Sequence, residues 1–221
     1  RGGTIGGVST RHRPLDLIDE VPDDADATAN LVSAPVADLP VAMATLPASP
    51  LTESLKRVSK ESENLHAEIA LRRLGLLEGT GSRDYGVSAL ASFLAEASVT
   101  DQSITLHGGS GMSIYNRISP RAMVRLLAFA AEQPWFAAWL ADQPIGGVDG
   151  SLERRFAGTA LEGKIFAKTG TLNGANALAG VMTAASGRQL LFSIIANDRP
   201  PATRSAIAEM DAALVAIAER Y

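Results

Sequence analysis

Lys164–Ala196 reads KIFAKTGTLNGANALAGVMTAASGRQLLFSIIA, and the period of this stretch decides the fold. Apolar and small residues alternate over Lys164–Thr171, Ala175–Ala184 and Arg188–Ala196, which predicts three strands. Ser186-Gly187 separates the last two by a short turn, so they are expected to form an antiparallel hairpin. Outward from the strands the period becomes helical. Thr203–Arg220 places Ile207, Met210, Leu214 and Ile217 in line and predicts a closing amphipathic helix. Upstream, Ser49-Pro50 signals a helix start, with Ser as cap, Pro at the first helical position and Glu53 in the first turn. A second helical run, Leu65–Leu74, is expected to end at Gly75, and a third covers Gly86–Ala97. Ser103–Leu106 reads as a short strand, and Ser119-Pro120 repeats the cap signal ahead of Met123, Leu126 and Leu127. Trp135, Phe136, Trp139 and Leu140 continue an apolar helical patch, with both tryptophans expected in the core. Helices first, then an antiparallel sheet, then a helix indicates an α+β fold.

The chain has 221 residues, 46% hydrophobic and 20% charged, an ordinary globular balance. Its net charge of −4, without a basic run, argues against nucleic acid as a partner. No apolar stretch has the length of a transmembrane segment. There are no cysteines, which excludes disulfides, thiol catalysis and thiolate-bound metals. His12, His66 and His107 lack metal-ligand spacing, so neither a metal nor a cofactor is expected. Residues 1–48 stand apart. Arg1–Val8 is Gly-rich and β-branched, Pro22–Asp26 is acidic, and Thr28–Leu46 mixes Val, Ala and Pro with weak periodicity. This segment is too small and polar for a core of its own, and reads as the tail of a module. Residues 49–221 then read as belonging to the main domain.

Two short motifs carry chemistry. Lys168-Thr169-Gly170-Thr171 ends a predicted strand, where an extended peptide can add by main-chain hydrogen bonds. Lys168 offers a fixed cation, Thr169 and Thr171 offer hydroxyls suited to a carboxylate, and Gly170 leaves room for close backbone approach. Ser62-Glu63-Asn64 lies between two helical runs. Ser62 and Asn64 converge on one cleft only if the backbone there is not helical. Each motif also fits a plain structural account, as a surface strand with a turn glycine and as a serine capping the next helix. Ser110 lies in G-G-S-G-M, so a G-x-S-x-G nucleophile elbow fails at Met112. Gly146, Gly147 and Gly150 do not follow a strand in the pattern that cradles phosphate.

Taken together, the motifs say more. Penicillin-recognising enzymes combine S-x-x-K, S-x-N and K-T-G in that chain order, and here S-x-N precedes K-T-G by about a hundred residues. Lys60-Glu61-Ser62-Glu63-Asn64 with Ala67-Glu68 resembles the K-x-S-x-N-x-x-A-E run of the low-molecular-mass class C penicillin-binding D-alanyl-D-alanine carboxypeptidase/endopeptidases. Gly109-Ser110-Gly111-Met112-Ser113, with Tyr115-Asn116 and Ser119-Pro120, resembles that family's D-G-S-G-L-S-x-x-N-x-x-S-P stretch. Gly147-Val148-Asp149-Gly150-Ser151-Leu152, with Arg155-Phe156, resembles G-x-D-G-T-L-x-x-R-F. After Lys168 the likeness continues through Leu172 and Ala177-Leu178-Ala179-Gly180.

The resemblance implies that residues 49–221 are the C-terminal portion of a serine β-lactamase/DD-peptidase-like catalytic domain, that residues 1–48 are the C-terminal end of an inserted, β-rich accessory module, and that the reaction is acyl transfer on peptidoglycan stem peptides ending in D-Ala-D-Ala. It implies that β-lactams acylate the same serine, and that the protein is exported to the periplasmic or other extracytoplasmic wall space. It assigns proton relay to Ser62 and Lys168, substrate amide binding to Asn64, and the terminal carboxylate to Thr169 and Thr171 beside Gly170. Lys168, near a second lysine, is expected to have a lowered pKa because like charges repel. Two departures stand out. The family's aspartate before G-S-G is Gly108. S-x-x-K is absent, because Glu53, Arg57, Leu161 and Ile165 lie three residues before Lys56, Lys60, Lys164 and Lys168. The nucleophilic serine and its lysine are therefore expected in an N-terminal segment of the same precursor, and this chain alone is expected to be inactive. A noncatalytic wall-peptide-binding remnant and a β-lactamase or esterase of the same fold remain as alternatives. Carboxypeptidase and endopeptidase action are not separated by these residues.

Overall fold

A computed structural model describes residues 50–100, 104–172, 174–198 and 206–221, all within the unit Ala48–Tyr221. The expected accessory-module tail, with its strand at Arg1–Val8, lies outside the described residues. In chain order come α1 (Leu51–Lys60), α2 (Asn64–Glu78), α3 (Arg83–Glu96), α4 (Pro120–Ala131) and α5 (Phe136–Ala141). A 3-10 turn, Gly150–Leu152, then leads to β1 (Ile165–Leu172), β2 (Ala175–Thr183), β3 (Gln189–Ala196) and α6 (Ile207–Arg220). The three strands form one antiparallel sheet in the order β1-β2-β3. The expected strands, hairpin and closing helix are thus present, and the α+β class holds.

The sheet is built by period-two burial. Ile165 pairs with Met182, Leu178 with Ile194, and Gly180 with Phe192, so these residues share one face. That face packs on Met210, Leu214 and Ala218 of α6 and on Leu152, Phe156 and Leu161. Leu152, Leu161, Ile165 and Leu178 are fully buried. Gly180 is required by close approach, since a Cβ there would lie 2.1 Å from the Phe166 carbonyl oxygen. Buried Asn176 accepts a hydrogen bond from Ala206 N at 3.2 Å, which ties β2 to the start of α6. A second cluster forms around Ala97, Val99 and Ala122, with Leu126 and Phe129 of α4 beside it.

The helices depart from expectation in four places. Gly75 does not end α2, which continues to Glu78 with Gly79 as its C-cap. A Cβ at Gly75 would lie 2.7 Å from Ser82 O and 2.8 Å from Gly86 N, so this glycine serves the close packing of α3 on α2. α3 itself begins at Arg83, with the Ser82 hydroxyl accepting from Tyr85 N. Pro50 is the N-cap of α1 rather than its first helical residue, because its ψ of 142° is extended. Trp135 is 43% exposed and is not a core residue; it sits at the N-cap of the short α5, ahead of the stacked Phe136–Trp139 pair. By contrast Ser119 caps α4 as expected, accepting from Ala122 N at 3.1 Å. Around Ser103–Leu106, the described part is a single bridge between Thr105 and Arg117.

The outer edge of β1 is only partly covered. Its first half is occupied: Gly146 N donates to Ile165 O at 2.9 Å, and Ala167 N donates to Pro144 O at 3.0 Å. Main-chain groups of odd-numbered residues therefore face outward, and the same alternation turns those of Thr169 and Thr171 outward too. Among the described residues, no segment pairs with that second half.

Candidate active site

The site forms where the α1–α2 junction meets the open end of β1. α1 stops at Lys60, and Glu61 takes the C-cap. Ser62 then adopts φ +56°, a left-handed conformation that a non-glycine residue occupies at a cost of about 1–3 kcal/mol. Glu63 is extended and caps α2, its carboxylate accepting from Leu65 N and His66 N at 3.1 Å each. The caps are therefore supplied by Glu63 rather than Ser62, which leaves the serine hydroxyl available. Asn64 is the first residue of α2 and is exposed. The backbone is thus non-helical at Ser62 and Glu63, whereas Asn64 already belongs to the helix.

Lys168 crosses to this turn from the sheet. Its Nζ donates to Ser62 Oγ at 2.7 Å and to Thr169 O at 2.9 Å, across 106 residues of sequence in the first case. Burial lowers the Lys168 pKa, because desolvation disfavours the ammonium. The direction matches the expectation, but its cause among the described residues is burial rather than a second lysine. Thr169 points its side chain the other way along the alternating strand, and its Oγ1 donates to Ser151 Oγ at 2.8 Å. Gly170 and Thr171 are exposed. A Cβ at Gly170 would meet only Ala177 Cβ, at 3.4 Å, so the protein's own packing does not demand glycine there.

Three further groups frame the site, none assigned a role from sequence. Lys60 Nζ sits 2.6 and 2.8 Å from the two carboxylate oxygens of Asp149, whose Oδ1 also accepts from Ile145 N at 2.9 Å. Buried Gln143 reaches Ser59 Oγ at 3.3 Å and so grips the same end of α1. Glu68, one turn beyond Asn64 on α2, takes Gly109 N, Ser110 N and Ser110 Oγ at 3.1, 2.9 and 2.6 Å. Burial opposes ionisation of Glu68, but the bonds from Ser110 and Gly109, with Arg72 nearby, outweigh it and hold the carboxyl below its usual value. A Cβ at Gly108 would stand 2.9 Å from Glu68 Oε1, so glycine at this position leaves space for that clamp. Sequence gave one signal for Lys60, Glu68 and Asp149: each lies inside a block of family resemblance. Their partners were not legible, since the contacts span 89 and 41 residues.

His66 meets the Glu63 carboxylate, and His107 packs near Tyr115 at 5.7 Å between ring centroids. Among the described residues no group of His, Asp and Glu could hold a metal ion. None of the described helices is long and apolar enough to cross a membrane.

The chain is similar to known proteins over most of its length. A profile of the D-Ala-D-Ala carboxypeptidase 3 (S13) family matches residues 25–220. A D-alanyl-D-alanine carboxypeptidase from an Actinomadura species is 36% identical over 168 residues, covering 72% of this chain and 31% of the relative. Carboxypeptidase DacB of Mycolicibacterium smegmatis is 34% identical, covering 78% of this chain and 39% of its own. The chain thus spans about a third of the length of these relatives. Among solved structures, Haemophilus influenzae penicillin-binding protein 4, in complex with a β-lactam, aligns with a TM-score of 0.67 at 26% identity, covering 76% of this chain and 41% of that one. An extended-spectrum β-lactamase aligns at 0.57 and 19% identity, covering 75% and 63%, a likeness of fold alone.

Proposed function

This chain belongs to the D-Ala-D-Ala carboxypeptidase (S13) family, and on that premise we propose that it supplies two walls of a serine-type D-Ala-D-Ala carboxypeptidase/endopeptidase site. The observation that carries the reading is the 2.7 Å contact from Lys168 Nζ to Ser62 Oγ beside an open strand edge. A peptidoglycan stem peptide would lie along that edge, its main chain on the outward groups of Thr169 and Thr171. Asn64 would orient a peptide amide, and the Thr169 and Thr171 hydroxyls would hold the terminal carboxylate, with Gly170 admitting the close approach.

The chemistry follows. A serine outside these 221 residues, activated by its own lysine in S-x-x-K, attacks the carbonyl of the penultimate D-Ala. Its proton passes through Ser62 and Lys168 to the departing D-alanine amine as the scissile bond breaks and an acyl-enzyme forms. A lysine with a lowered pKa suits this relay, because burial makes its ammonium readier to release a proton to the leaving amine. Water then attacks the acyl-enzyme and releases the shortened peptide. A β-lactam presents the same carbonyl and carboxylate and acylates the same serine. No metal or cofactor takes part in this scheme, and the substrate places the enzyme in the extracytoplasmic wall space.

Labelled penicillin and intact mass measurement test the reading. The full-length protein is expected to gain one covalent adduct and to release D-alanine from a pentapeptide, whereas the 221-residue chain alone gains none. Absence of an adduct on the full-length protein would support a noncatalytic wall-peptide binder instead. An adduct without D-alanine release would support β-lactam or ester hydrolysis. An adduct on the isolated chain would overturn the placement of the nucleophile.

A further inference from the structure

We propose that the Lys60–Asp149 ion pair is a positioning element for Ser62 and Lys168, one link in a closed ring of contacts that fixes the two walls against each other. Its catalytic consequence rests on the serine-peptidase reading above, while its mechanical consequence rests on the contacts themselves. The ring runs from Lys60 through the chain to Ser62, across to Lys168 at 2.7 Å, and on to Thr169. From Thr169 Oγ1 it crosses to Ser151 at 2.8 Å, returns along the 3-10 turn to Asp149, and closes on Lys60 at 2.6 Å. Gly150 seals the last step: with φ +59°, its missing Cβ would sit 2.8 Å from Lys60 O.

Two features indicate positioning rather than substrate contact. The Lys60 side chain is only 12% exposed, and its ammonium is taken up by both oxygens of Asp149. The neighbouring turn also needs an external brace. Ser62 holds a left-handed backbone, which persists only where surrounding contacts over-determine it. α1 buries no residue, so apolar packing within the described chain does not anchor its end. The brace is charge-assisted, the short and strong class of hydrogen bond. Because Asp149 also accepts from Ile145 N, and Ile145 bridges Phe166 at the edge of β1, the brace reaches the sheet by a second route.

The test uses the full-length protein with K60M, D149N, the double variant and K60R. Acylation by labelled penicillin is measured per titratable molecule across pH. Separately, the pH dependence of Lys168 modification by an amine-reactive reagent is read by peptide mass mapping, with exposed Lys164 as internal reference. Each single variant is expected to slow acylation about ten- to hundredfold, as for a small misplacement of reacting groups. The double variant should be no slower than either single, and K60R should recover most of the rate. Opening the ring should also move the pH of half-maximal Lys168 modification upward, toward ordinary lysine behaviour, with Lys164 unchanged. A lowered thermal midpoint with wild-type acylation and an unmoved Lys168 profile would overturn the proposal. If the wild type forms no adduct, the peptidase reading fails, and the Lys168 profile alone still decides the ring.

Discussion

Ser62 and Lys168 meet at one point, but the structures behind them are unalike. Lys168 stands on a strand whose core-facing residues, Ile165 and Ala167, are fully buried against a cluster that includes Leu178, Met182 and Leu214. Ser62 follows a helix with no buried residue and precedes one that buries Leu71 but whose first turns leave Leu65 and Ile69 64% and 44% exposed. The lysine is therefore held by hydrophobic burial, which is non-directional and cumulative. The serine is held by a few directional polar contacts: Glu63 capping α2, Gln143 on Ser59, and Asp149 on Lys60. A site joined in this way is stiff by packing on one side and depends on a few polar braces on the other.

The largest effect should come from the junction itself. Lys168→Ala should reduce the penicillin acylation rate of the full-length protein by about 10²–10⁴, the usual worth of a positioned acid–base group, with little loss of thermal stability. A comparable fall in stability would mean that the lysine acts as sheet packing, and the contrast between the two sides would collapse. Next in size is Leu178→Ala on the stiff side, expected to cost about 2–5 kcal/mol in chemical denaturation because it opens a cavity in a fully buried cluster.

Glu68→Gln sharpens the other side through pH. The folded Glu68 pKa lies below its ordinary 4.5, so the ionised group contributes stability above that pH and loses the contribution as pH falls through the folded value. Wild type and variant should therefore differ near neutrality and converge in acid, as followed by thermal midpoints. A constant gap would assign the effect to shape rather than charge. The smallest effect should be Arg83→Ala. This ion pair with Asp84 leaves the two side chains 58% and 85% exposed, and its loss should change denaturation free energy by under about 1 kcal/mol.

The same contrast explains what sequence could tell. The strands were legible because burial on one face imposes a period of two that no distant partner needs to supply, as in Ile165, Ala167 and Leu178. The closing helix and the Ser119 cap were legible for the same local reason. The extension of α2 past Gly75 was not, because the glycine answers to Ser82 O and Gly86 N across a turn. At the site, Ser62, Asn64 and the Lys168 run stand out as motifs, and the first and last converge. The brace that holds them did not stand out: Lys60 and Asp149 are 89 residues apart, and neither looks unusual among its neighbours. Trp135 misled because an apolar pattern on a helix of six residues leaves little surface to cover it.

The half-covered edge of β1 has a consequence beyond catalysis. An unpaired strand edge invites the edge of another molecule, and long flat edges are where folded proteins begin to associate. Here Pro144 and Gly146 occupy the edge at Ile165 and Ala167, so among the described residues what stays open runs only from Lys168 to Leu172. That remnant begins with a lysine and contains a glycine, both poor partners for a continuous intermolecular sheet. The protein can thus keep a strand available for a short peptide while denying it the length on which copies of itself would stack.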